Sequence, residues 1–240
     1  MRINPLFSGR GLMLVFLVSF TTLAASQSRR ALRPDEVFEA GIMVGFNLSQ
    51  MDGDYFTGFD KVGWYAGLQG IVNLNRQMSL HLEMLYSQKG SRIPHGVKLD
   101  SRNEVRDRLI DLHYMDVPIL LHYQLTQNSK SGYLEIGPVI SQLIQTNIEE
   151  KAPQNIEGTV YREIQSSFES RDISLLLGVG VPLYRDLHIN FRYQYGLRRF
   201  YTNADFMAPI PFSSIEKEVE FLRNYHFSIA LSYHFLRRRR

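Results

Sequence analysis

The closing stretch of the chain carries a histidine and a serine two residues apart, His226 and Ser228. In an extended chain, residues i and i+2 share a face, so this pair could supply the base and nucleophile of a serine esterase once an acid oriented the ring. A second set is ionic: Glu83, Asp116 and Glu135 on the acidic side, Arg192 and Arg198 on the basic side, with His81 and His188 beside them in parity. Gathered in a narrow space, these groups could lock into ion pairs, or exchange partners as a gate. Metal ligation, a third chemistry, needs donors at fixed spacing. The seven histidines show no ligand spacing readable from sequence and there are no cysteines, so the sequence predicts no metal site, no cofactor and no catalytic residue.

What must position these residues is an alternation of period two, the pattern of half-buried strands. Eight strands are predicted, at about 39–49, 63–75, 77–88, 112–125, 132–145, 172–183, 187–198 and 224–235. In the last, Tyr225, Phe227, Ile229, Leu231, Tyr233 and Phe235 share one parity, and His226, Ser228, Ala230, Ser232 and His234 the other. The same division sets Leu80, Leu82 and Met84 against His81 and Glu83, and Ile189, Phe191 and Tyr193 against His188 and Arg192. The His226/Ser228 pair therefore lies on the polar parity with the charged set, away from any lipid substrate. Pro118 makes the fourth strand the least regular, because proline has no N–H to give a ladder.

The N-terminus reads as a secretory signal. Arg2 and Arg10 precede the apolar stretch from Leu12 to Ala25 and small residues follow, so residues 1–26 are expected to be cleaved. A short periplasmic segment, 27–38, then leads into a barrel over 39–235 and a basic periplasmic tail, 236–240. Without cysteine the chain has neither disulfides nor a site for lipoprotein acylation. The net charge of +3 is small and scattered except at the chain ends, which argues against a nucleic-acid partner. Inside the body no apolar run is long enough for a membrane helix.

The connections decide among the β architectures. Links two, four and six are short, whereas links one, three, five and seven are long and polar. Outer-membrane barrels have short periplasmic turns and long extracellular loops. Aromatics gather near strand ends, at Trp64, Tyr86, Tyr123, Tyr133, Tyr193, Tyr195, Tyr225, Tyr233 and Phe235, where interfacial girdles form. The predicted fold is all-β, an eight-stranded antiparallel transmembrane β-barrel of the outer membrane of a Gram-negative bacterium. Its apolar parity faces lipid, its polar parity lines the lumen, and both chain ends lie in the periplasm.

Five segments, GIMVGFNLS (41–49), WYAGLQGIVNL (64–74), SLHLEMLYSQKGS (79–91), YMDVPILLHY (114–123) and LEIGP (134–138), resemble the PorT-type outer-membrane β-barrel family. The run from Tyr86 to Gly90 and that from Asp116 to Pro118 are the most specific. The resemblance implies an eight-stranded barrel and, from the family's founding member, a part in type IX secretion, the export of proteases and adhesins with other secretion-system proteins. It brings no catalytic residues. The tail Arg237, Arg238, Arg239 and Arg240 departs from barrels that end on their final aromatic.

Side chains can just fill the interior of eight strands, so the charged set is expected to form a polar plug, with a gated conduit as the alternative. Outside, Arg92, Lys98, Arg102, Arg106 and Arg108 could meet lipopolysaccharide phosphates, while Phe200, Tyr201, Phe206, Pro209, Pro211 and Phe212 could form an exposed surface for a protein partner. Solvated or self-packed loops are the alternative for both. The arginine tail would sit among phospholipid headgroups. The expected function is non-enzymatic support of protein secretion. Two alternatives stand beside it: a structural or lipopolysaccharide-interacting barrel without transport role, and a lipid-A-modifying enzyme.

Overall fold

The computed structural model describes residues 38–54, 58–93, 107–126, 131–151, 164–202, 207–209, 216–218 and 221–235. The signal segment, the arginine tail, Lys98, Arg102, Arg106, Phe206, Pro211 and Phe212 lie outside them. In chain order the strands are β1 (Phe38–Asp52), β2 (Lys61–Asn73), β3 (Met78–Ile93), β4 (Asp107–Gln124), β5 (Tyr133–Lys151), β6 (Arg171–Tyr184), β7 (Leu187–Gly196), β8 (Tyr201–Thr202), β9 (Met207–Pro209), β10 (Glu216–Glu218) and β11 (Phe221–His234). β1 to β7 and β11 each pair antiparallel with the next, and β1 closes on β11 from Gly41 opposite His234 to Asp52 opposite Arg223. Closure leaves no sheet edge among these eight strands, so every one of them has a partner on both sides.

The alternation resolves into an apolar outside and a polar inside. Phe46 is 65% exposed, Leu82 55% and Ile140 51%, while the intervening Asn47, Glu83 and Ser141 are buried. A water-soluble barrel would have the opposite polarity, because so much contiguous exposed apolar surface needs a hydrocarbon solvent. The chain is an integral outer-membrane barrel. The strand ends joined by the short connections β2–β3, β4–β5 and β6–β7 share one rim with the start of β1 and the end of β11, where Phe235 N donates to Ala40 O at 3.0 Å and His234 N to Asp186 O at 3.0 Å. The strand ends joined by the long connections share the other rim; in outer-membrane barrels short turns mark the periplasmic rim and long connections the extracellular one, and the two rims are named on that rule.

Two differences from the predicted strands have local causes. β4 and β5 extend outward well beyond positions 112 and 145, and there the alternation inverts: Ile110, Leu112 and Ile148 point inward and are buried, with Asp111 and His113 less buried between them. An outward-apolar template stops at that inversion. β4 is irregular, but its register shift does not fall at Pro118. The β3–β4 ladder omits Glu83 and Met84 yet keeps the same register on both sides, while the register shift in β4 falls at His113/Tyr114. Proline removes a donor without adding a residue, whereas a bulge adds one.

Candidate functional site

The inward residues form three layers. At mid-depth, β3 supplies Glu83, β5 Glu135 and β7 Arg192, each on the lumen parity and each nearly inaccessible. Arg192 Nε donates to Glu135 Oε1 at 2.7 Å and Nη2 to Glu135 Oε2 at 2.9 Å, while Nη1 and Nη2 donate to Glu83 Oε2 and Oε1, both at 2.8 Å. The fifth contact runs from Nη1 to Met43 Sδ at 3.2 Å. All five N–H groups of the guanidinium are thus used, and both carboxylates are gripped as two-oxygen forks. Gly178 makes room for this arrangement. It lies in register between Glu135 and Arg192, and a Cβ there would come 2.4 Å from Glu135 Oε1.

Toward the extracellular end, Lys89 Nζ lies 2.7 Å from Asp116 Oδ2 and 2.9 Å from Oδ1. This buried pair joins the two most specific motifs of the sequence, those at 86–90 and 116–118. Sequence reasoning missed Lys89 because it ended β3 at residue 88, one short of it. Gly90 follows with φ +137°, in a region closed to side-chain-bearing residues, and a Cβ would stand 2.0 Å from Ile110 O. Beyond it Met51, Ile110, Leu112, Tyr114, Ile148, Phe200, Tyr201 and Leu222 pack into one apolar cluster that caps the lumen.

That cap corrects two expectations. Phe200 is 0% exposed and Tyr201 1%, so neither is part of an exposed docking surface; both are drawn into the core by the inverted apolar residues of β4 and β5. Arg108 does not reach an outer lipid surface, because it is buried with its Nη2 2.9 Å from Asp54 Oδ2, an oxygen that Ser91 Oγ also approaches at 2.6 Å. Arg92 is exposed. Arg198 stands apart from the lumen set: β7 ends at Gly196, and Arg198 lies roughly half exposed in an ion pair with Glu169. Tyr133 is not a girdle residue either. Its ring faces inward, stacked with His122, and its hydroxyl donates to Asn190 Oδ1.

The His226/Ser228 pair makes no nucleophile. Ser228 Oγ donates to Asn47 Oδ1 at 2.9 Å, Asn47 Nδ2 donates to Ser87 Oγ at 2.9 Å, and His226 is buried in the lumen. These groups serve a hydrogen-bonded interior.

At the periplasmic mouth, four histidines converge from four strands: His81 (β3), His122 (β4), His188 (β7) and His234 (β11). The rings of His81 and His122 stack at 3.4 Å between centroids, those of His188 and His234 approach to 4.6 Å, and His81 and His234 lie 6.3 Å apart. His122 Nε2 is 3.0 Å from Glu135 Oε2, a close approach without the alignment of a hydrogen bond. A cleft lined by these rings, Tyr133 and Glu39 opens at the rim of the short turns. Sequence reasoning placed His81 and His188 in the lumen set but did not join His122 and His234 to them. A signal was available, since all four share the inward parity and sit near the short-turn ends of their strands.

The barrel's family follows from its sequence. Residues 25–201 match the family described as Outer membrane protein beta-barrel domain. The chain belongs to that family. No curated protein sequence matches it significantly. Among solved structures the barrel is similar to Ail of Yersinia pestis in complex with the heparin analogue sucrose octasulfate, at 12% identity and TM-score 0.39, covering 83% of this chain and 99% of that one. Neisserial surface protein A matches at 9% identity and TM-score 0.40, over 82% of this chain and 97% of its own. OprG of Pseudomonas aeruginosa matches at 11% identity and TM-score 0.36, over 83% and 94%.

Proposed function

We propose that this barrel is a non-enzymatic, non-conducting component of the outer membrane that supports protein export and acts through its two rims. The observation that carries the reading is the filled lumen among the described residues: Arg192 holds Glu83 and Glu135 across its middle, and the apolar cluster around Phe200 packs toward the extracellular end. A filled interior leaves the rims as the surfaces available to partners. The resemblance to PorT-type barrels gives the role its specific form, export through a type IX secretion system, with other secretion-system proteins as partners. Residues 1–26 act as a cleaved signal, and Arg237–Arg240 meet phospholipid headgroups or a secretion partner at the periplasmic rim.

A second reading is supported by the extracellular rim, where Arg92, Arg171 and Arg199 are exposed. Guanidinium groups in such a ring suit lipopolysaccharide phosphates, and a barrel that only stabilises the lipid leaflet would need no export partner. A deletion strain separates these readings. Loss of secreted proteases with an intact envelope supports export; leakiness to detergent with normal secretion supports the lipid role; an altered lipid A mass would overturn the non-enzymatic reading.

A further inference from the structure

The strongest unassigned feature is the histidine group at the periplasmic mouth. Four of the chain's seven histidines meet there, with His81 4%, His122 5%, His188 7% and His234 8% exposed. Burying four imidazoles at one end of a barrel serves no packing need that apolar residues would not meet at lower desolvation cost. The rings of His81 and His122, 3.4 Å apart between centroids, bring imidazole nitrogens from β3 and β4 side by side. His81 Nε2 lies 3.0 Å from Ser79 Oγ, while its buried Nδ1 has no hydrogen-bond partner.

The carboxylates beneath the rings are placed beside them: Glu135 Oε2 lies 3.0 Å from His122 Nε2, and Glu83 stands two residues from His81 on the same lumen-facing parity.

We propose that His81, His122, His188 and His234 bind a borderline divalent transition-metal ion, with Zn²⁺ the type case, in the periplasmic mouth of the barrel. Donor atoms of His81, Glu83 and His122 already lie within 4.8 Å of one another. Tetrahedral zinc with Zn–N bonds of about 2.0–2.1 Å needs its nitrogens about 3.3 Å apart and the ion in the plane of each ligating ring, so on binding His81 and His122 turn out of their stack and His188 and His234 swing toward them. Glu83 is held by Arg192 through both oxygens, leaving ligation to the imidazoles. Glu135 is placed as the outer carboxylate that orients a ligating histidine. Imidazole donors select zinc, copper or nickel over calcium and magnesium, which take oxygen. The cleft at the short-turn rim gives an ion access from the periplasm.

The test uses the full mature barrel, purified without a histidine tag, titrated with ZnCl₂ by calorimetry and with CuCl₂ by electron paramagnetic resonance. Expected are one ion per chain, hyperfine coupling to two or more nitrogens, and at least about a tenfold loss of affinity in the variant His81→Ala/His122→Ala. The variant His113→Ala/His226→Ala, with both changes outside the mouth, should bind as wild type does. Heat-modifiable migration on a gel shows that each variant is folded. A wild type that binds no zinc, a copper spectrum with oxygen ligands alone, or unchanged binding after His81, His122, His188 and His234 are all replaced would overturn the site.

Discussion

Replacing Arg192 by methionine keeps most of the side chain's volume and removes its charge. Glu83, 1% exposed, and Glu135, 2% exposed, would then face each other across the lumen without the guanidinium that separates them. Four charge-assisted contacts to carboxylate oxygens, of 2.7 to 2.9 Å, disappear together. Removing one partner of a buried ion pair costs about 3–5 kcal/mol, because the group left behind stays desolvated. Two carboxylates are left here, so the expected loss lies at the upper end of that range. Neutralising the whole set is a different perturbation. Arg192→Met with Glu83→Gln and Glu135→Gln leaves amides that can bond to one another, and should return to within about 1–2 kcal/mol of wild type. Urea unfolding of the barrel in lipid, followed by the gel shift between folded and unfolded forms, measures both. A single variant that loses less than about 1 kcal/mol, or a triple variant as unstable as the single one, would refute the plug as an electrostatic lock.

Other consequences follow from neighbouring residues. Gly178→Ala should cost about 1–3 kcal/mol, since its Cβ would meet a Glu135 side chain that Arg192 holds in place, and the cost should shrink in a Glu135→Ala background. Phe200→Ala should lose about 3–5 kcal/mol and speed protease nicking at the extracellular end, whereas a residue of an exposed docking surface would leave both unchanged. Trp64, the sole tryptophan, is 45% exposed on the apolar face, so its fluorescence should be quenched by brominated acyl chains and shielded from aqueous iodide; the reverse pattern would contradict the orientation of β2.

The eight barrel strands and their facing were legible because lipid on one side and a narrow polar lumen on the other impose the same period-two contrast on every strand. Leu82 beside Glu83 and Phe191 beside Arg192 each state which side is out. The outer ends of β4 and β5 were not legible. Above the hydrocarbon, Ile110, Leu112 and Ile148 reverse the contrast, and a template fitted to the membrane ends where water begins. The charged residues were recognisable as a lumen set by parity. Their partners were not, because pairing across a barrel depends on depth: Arg192 meets Glu83 and Glu135 at one level, Asp116 meets Lys89 at another, and Arg198 lies beyond the end of its strand. The same dependence hid the histidines. His81 and His122 stand many residues apart in sequence, yet their strands run antiparallel and place Ser79 opposite His122 and His81 opposite Leu120, so the two rings become diagonal neighbours.

The central claim is that the lumen is sealed, and conductance tests it most directly. Purified wild-type barrels reconstituted in a planar lipid bilayer should stay electrically silent over minutes at moderate voltage, because the Arg192 layer and the apolar cluster fill the lumen at two levels. Discrete, reproducible single-channel openings from the wild-type protein would contradict the account.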